Sequence, residues 1–438
     1  MIKVLSKWSP EKWLFWIVAI SLLLRIGAAV YMGDKVVDLP GAYDQISYDA
    51  LAHRLLAGHG FSFGQFWWPY TSANTPTAQW SFLYVLYLAG VYLIFGFHPL
   101  VARLIQAIVA GSLMPWLVYR LGKRSFGATV GLAAAAIMAV YIYFIYYNAA
   151  LMTETFFTLG ALWAFDLAEQ IKASAGQRWR DWLFLGVAMG ITILIRQTYF
   201  PIVVLIGAWL VYVTPGQRTK TLLRFALSVG VVALLILPWT IRNYAAYGQF
   251  VLLNTNAGFA FFFDNNPAQG TNAALLNSAT YFQLIPPALR GLNEAALDSA
   301  LMRLSIQFVL KDPGRYLLLS LNRFKDQFWF WPSPQSGFIS NISRVGSFGL
   351  FFPFMLYGAY LNIKTIKQVR LSAWLATPAA LWLVFFVVYN LEYLLSWGSV
   401  RYRLPTDAVM IIFAGLALVT LARRILAARK PGVQVASA

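Results

Sequence analysis

Residues 13–31 read WLFWIVAISLLLRIGAAVY, a run long enough to cross a lipid bilayer as one helix. A spanning α-helix needs about 20 predominantly apolar residues, and this run carries one charge, Arg25. No small-residue cleavage site follows the run, so we interpret it as a retained anchor and not as a cleavable signal peptide. The stretch sets the expectation of a helical membrane protein.

Further apolar segments follow along the chain, and each is a candidate for a membrane-spanning helix. They are residues 80–97, 100–119, 127–147, 151–169, 182–198, 199–214, 221–240, 345–362, 372–391 and 405–422. The composition agrees, since 60% of the residues are hydrophobic and 11% are charged, against about a quarter charged in a typical soluble domain. The sequence therefore predicts an all-α polytopic membrane protein of about ten transmembrane helices and excludes an ordinary cytosolic enzyme.

The positions of Lys and Arg predict the orientation of this bundle, because cytoplasmic loops are enriched in these residues. The formal net charge is +18. Basic clusters occur at the N-terminus, in four short loops and in the C-terminal tail: Lys3, Lys7 and Lys12; Arg120, Lys123 and Arg124; Lys172, Arg178 and Arg180; Arg218, Lys220 and Arg224; Lys364, Lys367 and Arg370; Arg423, Arg424, Arg429 and Lys430. All of them share one side only if one apolar segment does not cross. We assign 80–97 to the outer interface, which leaves ten crossings and both termini in the cytoplasm.

Under this topology the long loops, 32–99 and 241–344, lie on the outer face. Function concentrates where a chain has irregular backbone and polar residues, so we expect the site there. Periodic apolar residues predict interfacial helices in these loops: Ile46 to Ala57, Glu294 to Leu310 and Arg315 to Trp331. The predicted regions are an N-terminal transmembrane module (1–240), a long outer loop (241–344) and C-terminal helices with a cytoplasmic tail (345–438).

Several kinds of chemistry are excluded by residues that the sequence lacks. There is no cysteine, so disulfides and thiolate nucleophiles are excluded. No Walker-type phosphate loop occurs, and only His53, His59 and His98 could supply imidazole ligands. We expect no cofactor, no metal ion and no nucleic-acid partner. A membrane protein with its polar residues outside could instead take a substrate that is itself dissolved in the lipid.

Two acids in apolar surroundings are candidates for catalysis. Asp44 stands just before the 46–57 helix, at the predicted membrane surface, although it could merely support that helix's dipole. Glu154 is the one charged residue between Arg124 and Asp166, and an ionisable group in such a stretch is a functional candidate. Glu154 could also be an interface acid that faces water. The predicted topology places both acids on the outer face.

Four arginines at predicted outer helix ends could hold a phosphate that arrives on a lipid: Arg196, Arg242, Arg401 and Arg403. Each could instead extend its charge to lipid headgroups. The pair at 401 and 403 runs against the positive-inside pattern, which favours a functional role. Arg25 and Arg103 are weaker candidates, either for packing or for headgroup contacts.

Six stretches along the chain carry a resemblance to a known superfamily. They are Asp44-Gln-Ile-Ser-Tyr48, Leu151-Met-Thr-Glu154, Ile195-Arg196, Pro238-Trp-Thr-Ile-Arg242-Asn243, Asn254-Thr-Asn-Ala-Gly258 and Arg401-Tyr402-Arg403-Leu-Pro405. In this order they resemble the GT-C membrane glycosyltransferases, notably the bacterial polyprenyl-phosphate-sugar enzymes such as lipid A aminoarabinose transferase and protein O-mannosyltransferases. The resemblance implies a GT-C-like bundle in the bacterial plasma (inner) membrane, with its active site outside.

The resemblance also implies roles for individual residues. In such enzymes an acid of the first outer loop is catalytic, and Asp44 occupies that position, while Glu154 matches a second family acid. Many relatives carry another acid where Gln45 stands, and relatives of the aminoarabinose enzyme carry Arg where Ser47 falls. The Lys that they place in the motif near Asn74-Thr-Pro76 is absent too. The phosphate ligands and the donor sugar therefore stay open.

The implied reaction moves one monosaccharide from a polyprenyl-phosphate carrier to an acceptor hydroxyl of a lipid, a glycan or a protein, with inversion at the anomeric carbon. Asp44 would act as general base and Glu154 would orient the acceptor or a sugar hydroxyl. The expected substrate-binding residues are Tyr48, Arg196, Arg242, Asn243, Arg401, Tyr402 and Arg403. The alternatives are a transporter of lipid-linked sugars or polysaccharides, whose usual paired repeats with broken helices we do not find, and a non-catalytic assembly subunit.

Overall fold

The computed structural model describes residues 9–271, 280–334 and 336–429, and in these ranges the regular elements are helical. The α-helices are Pro10–Met32, Asp44–Leu56, Phe82–Phe95, Pro99–Phe126, Ala128–Val140, Ile142–Ala149, Glu154–Ala173, Trp179–Ile195, Phe200–Tyr212, Arg218–Tyr247, Ala257–Asn265, Tyr281–Leu284, Glu294–Lys311, Pro313–Gln327, Phe338–Ser343, Leu350–Lys364, Leu371–Leu375, Pro378–Leu395 and Leu404–Ala428. The predicted all-α fold is confirmed. Lys3, Lys7 and Lys430, which entered the prediction of orientation, lie outside the described residues.

Five helical segments in the described ranges are long and apolar enough to cross a membrane: Pro10–Met32, Pro99–Phe126, Pro215–Tyr247, Pro378–Leu395 and Val400–Ala428. A sixth span results if Ala128–Val140 and Ile142–Ala149, which are bent by 51°, are taken together. The other predicted spans also form helices, but these are shorter or, like Glu154–Ala173, carry more charge. The chain is thus an integral membrane protein, and the number of ten crossings stays a prediction.

The basic loops gather at one end of the bundle. Three contacts join them across the sequence: Arg124 with Glu169 at 2.6 Å, Lys172 with the carbonyl of Ala376 at 2.7 Å, and Arg224 with the carbonyl of Gly176 at 2.7 Å. These loops therefore share one end, as the charge pattern predicts. That this end faces the cytoplasm remains a prediction from the positive-inside rule.

The Phe82–Phe95 helix lies wholly at the opposite end. At its start, the hydroxyl of the N-cap residue Ser81 donates to the carbonyl of Leu194, at the end of the Trp179–Ile195 helix (3.2 Å). Near its end, the hydroxyl of Tyr92 donates to Asp49 of the first loop (2.6 Å). Both ends of the helix thus contact the same end of the bundle, which supports a non-crossing 80–97 segment.

The long loops form a second hydrophobic cluster beyond that end. Its buried members are Tyr70, Phe259, Phe262, Phe263, Ile285, Leu297 and Leu301. Glu294 ties the loops together: it is buried, and it accepts from the hydroxyls of Thr71 (2.9 Å) and Thr255 (2.5 Å) and the backbone N–H of Ala78 (2.7 Å). Burial raises the pKa of Glu294. The three predicted interfacial helices are present as Asp44–Leu56, Glu294–Lys311 and Pro313–Gln327.

Candidate active site

Four charged side chains from four distant parts of the chain meet at this end of the bundle. Arg401 lies between the two acids, with its Nη1 2.7 Å from Oδ2 of Asp44 and its Nε 3.7 Å from Oε1 of Glu154. The same Oε1 of Glu154 lies 2.5 Å from Nη2 of Arg196. Two carboxylates and two guanidinium groups thus form one connected cluster whose formal charge is zero.

Local structure places each of these groups at the end of a helix. Asp44 and Glu154 are the first residues of the Asp44–Leu56 and Glu154–Ala173 helices, where the helix dipole stabilises a carboxylate. Arg196 stands in extended backbone between two helices, with φ −151° and ψ 121°. Arg401 belongs to the 3₁₀ turn Val400–Arg403 that opens the last span. Each charge therefore projects from a break between helices.

The four charges differ in their exposure. The side chain of Glu154 is 2% exposed, while those of Asp44 and Arg401 are 19% and 15% exposed. The second carboxylate oxygen of Glu154, Oε2, is buried and has no hydrogen-bond partner among the residues that the structure describes. A ligand that enters the site can reach Asp44 and the guanidinium groups more readily than Glu154.

Aromatic rings surround the cluster. The guanidinium carbons of Arg196 and Arg401 lie 5.2 and 5.0 Å from the ring centre of Tyr402, within the range of a cation–π interaction. Tyr402 in turn stacks on Tyr393 at 4.5 Å. Tyr48 is buried one turn after Asp44, and burial, together with the negative charge of Asp44, raises the pKa of its hydroxyl far above the usual range. Tyr402 and Tyr48 therefore lie beside the charged cluster, and their role in binding substrate stays a prediction.

Two further site residues were not singled out from the sequence. The hydroxyl of Thr153 accepts from Nε of Arg196 at 2.9 Å. The carbonyl of Gly41 accepts from Arg401 at 3.4 Å. Gly41 has φ +69°, and a Cβ there would meet the hydroxyl of Tyr147 at 2.9 Å, so the position needs glycine. The Pro40-Gly41 turn signal beside Asp44 could have indicated it.

Arg242 and Asn243 do not reach the cluster. The guanidinium of Arg242 donates to the carbonyls of Thr77 (3.0 Å) and Phe61 (3.2 Å) in the first loop. The amide of Asn243 is buried and donates to the carbonyls of Val251 (3.2 Å) and Leu253 (2.8 Å). Both residues fasten outer-loop backbone to the Arg218–Tyr247 helix. In this structure these donors bond to the protein itself, and the expectation that the two residues bind substrate stays a prediction.

Arg403 is also separate from the cluster, although it follows Arg401 by two residues. Its side chain is fully buried, with Nε 3.0 Å from Oδ1 of Asp407 and the guanidinium carbon 3.3 Å from the ring centre of Phe348. The 3₁₀ turn sends Arg401 and Arg403 to different sides. Of the four arginines that were expected to hold a phosphate, Arg196 and Arg401 lie in the cluster in this structure.

The Asn254–Gly258 motif bonds to two segments that lie next to the site. The amide of Asn254 donates to the carbonyl of Ala78 (2.9 Å), and that of Asn256 donates to the carbonyl of Gln79 (2.9 Å). Gln197, the neighbour of Arg196, donates to Asn256 at 3.0 Å. The motif therefore joins the first long loop, residues 32–99, to the segment that carries Arg196.

The acids do not form a metal site of the usual kind. Within the described ranges no group of three or more His, Cys, Asp or Glu side chains could hold a metal ion. Asp44 and Glu154 each face a guanidinium group instead. That the reaction needs no metal ion stays a prediction.

Comparisons with known proteins agree with this architecture. Residues 80–241 match the family of dolichyl-phosphate-mannose-protein mannosyltransferases. The archaeal oligosaccharyltransferase AglB from Archaeoglobus fulgidus, solved with an inhibitory peptide and a dolichol-phosphate, aligns at 17% identity and TM-score 0.60 over 98% of this chain and 53% of that one. Its apo form aligns with TM-score 0.62 at the same identity and coverage. This chain therefore spans about half the length of that enzyme.

A third structure is less similar. ArnT from Cupriavidus metallidurans bound to undecaprenyl phosphate aligns at 14% identity over 96% of this chain and 80% of that one, with TM-score 0.43, too low to argue a shared arrangement of helices. Among curated protein sequences none is significantly similar to this chain.

Proposed function

Because the chain has the fold of the GT-C superfamily of membrane glycosyltransferases, as its sequence predicts, we propose that it transfers a monosaccharide from a polyprenyl-phosphate carrier to an acceptor hydroxyl. The observation that carries this proposal is the cluster of Asp44, Glu154, Arg196 and Arg401. It offers a carboxylate that can take a proton next to two cations that can hold a phosphate. Transfer of a sugar needs both functions close together, because the acceptor loses a proton while the phosphate leaves.

Arg196 and Arg401 are the proposed phosphate ligands. A guanidinium group cannot deprotonate in a protein and forms paired hydrogen bonds with phosphate oxygens. Such donors stabilise the negative charge that grows on the leaving phosphate. Since a lipid phosphate is a good leaving group once it is bound in this way, the reaction needs no acid catalyst.

Asp44 is the proposed general base. In the transfer, the acceptor oxygen bonds to the anomeric carbon and its proton passes to Asp44. The bond from that carbon to the phosphate oxygen breaks on the opposite face, and the electron pair leaves with the polyprenyl phosphate. Attack opposite the leaving group inverts the anomeric carbon. The leaving phosphate thus gains one negative charge, and Asp44 takes up one proton.

The proposal assigns Glu154 a supporting part. Its Oε1 contacts both arginines, whereas its Oε2 is shielded from solvent. Glu154 therefore sets the position of the two cations, and it does so without contacting the sugar. This differs from the expectation that it orients an acceptor or sugar hydroxyl.

We place the reaction at the outer face of a bacterial plasma membrane, with lipid, glycan or protein as acceptor and with no cofactor and no nucleic-acid partner. The basic loops at the opposite end of the bundle support this orientation. The donor is thus a lipid of the same membrane, and no soluble nucleotide-sugar is required.

The experiment uses purified protein in lipid nanodiscs with a panel of polyprenyl-phosphate sugars and membranes from a deletion strain as acceptor. We expect release of polyprenyl phosphate and labelled acceptor by mass spectrometry, with most activity retained in EDTA. Transfer from a nucleotide-sugar in the absence of any lipid-linked donor would contradict the proposal.

A further inference from the structure

An unwound segment inside the bundle directly precedes Glu154. The Ile142–Ala149 helix ends at Ala149 and the next helix begins at Glu154, so residues 150–153 form neither helix nor strand. These residues are nearly fully buried. Buried backbone N–H and C=O groups need hydrogen-bond partners, so this segment depends on its neighbours.

Buried side chains supply those partners. The amide of Gln106 donates to the carbonyls of Asn148 and Ala150, both at 3.0 Å. Arg103 donates from Nε to the carbonyl of Ala149 at 2.9 Å. The backbone N–H of Leu151 donates to Oε1 of Gln45 at 3.3 Å. Each of these bonds involves a side chain that is itself fully buried, that of Gln45, Arg103 or Gln106.

Gln45 is the member of this set that also belongs to the Asp44–Leu56 helix. Besides Leu151, its Oε1 accepts from Nη2 of Arg103 at 3.4 Å, and its Nε2 donates to the carbonyl of Val37 at 2.5 Å. Its amide thus bonds both to the first long loop and to the unwound segment. One side chain therefore joins the backbone just before Asp44 to the backbone just before Glu154.

Arg103 completes the same junction. It is fully buried, it has no ion-pair partner in the described part of the chain, and it donates to the carbonyls of Gly33 (2.8 Å) and Lys35 (3.0 Å) as well as Ala149. A cation inside a bundle is costly unless its donors are satisfied. Arg103 thus holds the end of the first span, the start of the first loop and the unwound segment in one place.

We propose that Gln45 and Arg103 are positioning residues that fix Glu154, and through it the two arginines, relative to Asp44. This inference rests on the proposed function and deepens it. A neutral amide suits the position of Gln45 because it must accept from Leu151 and Arg103 while donating to Val37. A carboxylate could accept the two hydrogen bonds but could not donate one to Val37. Small misplacements of reacting groups cost about 10²-fold in rate, so the junction should affect turnover without touching substrate.

The test compares Gln45→Leu and Gln45→Glu with Gln327→Leu, a matched control. Gln327 is another fully buried amide, and it bonds to Asn390 at 2.6 Å. Hydrogen–deuterium exchange of residues 150–153, binding of undecaprenyl phosphate and turnover are measured for each full-length protein. We expect Gln45→Leu to speed exchange at Leu151 and to lower kcat about 10²-fold with phosphate binding nearly unchanged. Gln45→Glu should recover much of both, and the control should change neither.

Faster exchange with unchanged kcat would overturn the proposal, as would unchanged exchange. An inactive wild-type protein would contradict the proposed function instead. In that case the exchange data would still decide whether Gln45 couples the two segments, so the two failures can be told apart.

Discussion

Asp44 and Arg401 form an ion pair in which Oδ2 and Nη1 lie 2.7 Å apart, although they stand near opposite ends of the sequence. The pair joins the first long loop, residues 32–99, to the turn that opens the last span. In our proposal the two residues serve different partners, a proton and a phosphate. A lipid phosphate that binds Arg401 competes with Asp44 for the guanidinium group and leaves the carboxylate available for the acceptor.

Asp44→Asn tests the general base. Asparagine keeps the shape and can still support the helix N-terminus, but it cannot take up the acceptor proton. We expect turnover to fall about 10²-fold or more, with expression, thermal stability and binding of undecaprenyl phosphate close to wild type. Asp49→Asn, in the same helix, is the control and should do much less. A near-wild-type rate for Asp44→Asn would leave Asp44 with a purely structural role.

Arg401→Ala tests the phosphate ligand. Loss of one transition-state contact is worth about 3 kcal/mol, so kcat/KM should drop about 10²-fold. Arg401→Lys should recover only part of this, because lysine lacks the paired donors. Steady-state kinetics with varied lipid donor measures the effect. Unaltered kcat/KM in Arg401→Ala would indicate that the residue merely pairs with Asp44.

Arg242→Ala separates a structural arginine from a ligand. Its donors hold the carbonyls of Thr77 and Phe61, and unpaired buried carbonyls cost about 1–3 kcal/mol. We expect a lower Tm with a kcat/KM that changes far less than in Arg401→Ala. Tm is measured by thermal unfolding followed by tryptophan fluorescence, and kcat/KM is measured in the same kinetic assay as for Arg401→Ala. A large kinetic loss at unchanged Tm would restore Arg242 to the substrate-binding set.

Cysteine labelling tests the orientation, since the chain has no cysteine of its own. Lys123 and Gln65 are exposed at opposite ends of the bundle. Lys123→Cys should react only with membrane-permeant thiol reagents in intact cells, and Gln65→Cys should also react with impermeant ones. The reverse pattern would place the charged cluster on the cytoplasmic side.

Asp298→Asn tests a pH dependence of the outer region. Burial raises the pKa of Asp298 from 3.8 to about 6, against the opposing effect of the N–H of Phe259. The folded form therefore holds this proton more tightly than the unfolded chain. Its contribution to stability is complete below pH 3.8 and is lost as the pH rises to about 6. The Tm of Asp298→Asn relative to wild type should therefore rise as the pH increases over that range. For exposed Asp38→Asn the difference in Tm from wild type should not rise in this way. A constant difference in Tm would contradict the raised pKa.

Much of the fold follows from local sequence. The predicted spans and interfacial helices are present as helices because apolar length and 3.6-residue periodicity are properties of short stretches. Element boundaries moved where a local signal intervened: the predicted 372–391 span begins at Pro378, and Arg196 falls in a break between Trp179–Ile195 and Phe200–Tyr212. The positions of the two acids on one end of the bundle were also predictable from the charge pattern.

The sequence by itself determined that this is a helical membrane protein, that its basic loops share one end and that Asp44 and Glu154 stand at the other. Only the tertiary structure decided which arginines join them. Arg196, Arg242, Arg401 and Arg403 all follow or precede apolar helices, so local sequence treats them alike. Their partners are carbonyls and carboxylates far away in the chain, and a buried guanidinium takes whichever of these the packing brings within reach. In the packed structure Arg196 and Arg401 pair with the two acids. Arg242 instead bonds to backbone carbonyls, and Arg403 pairs with Asp407.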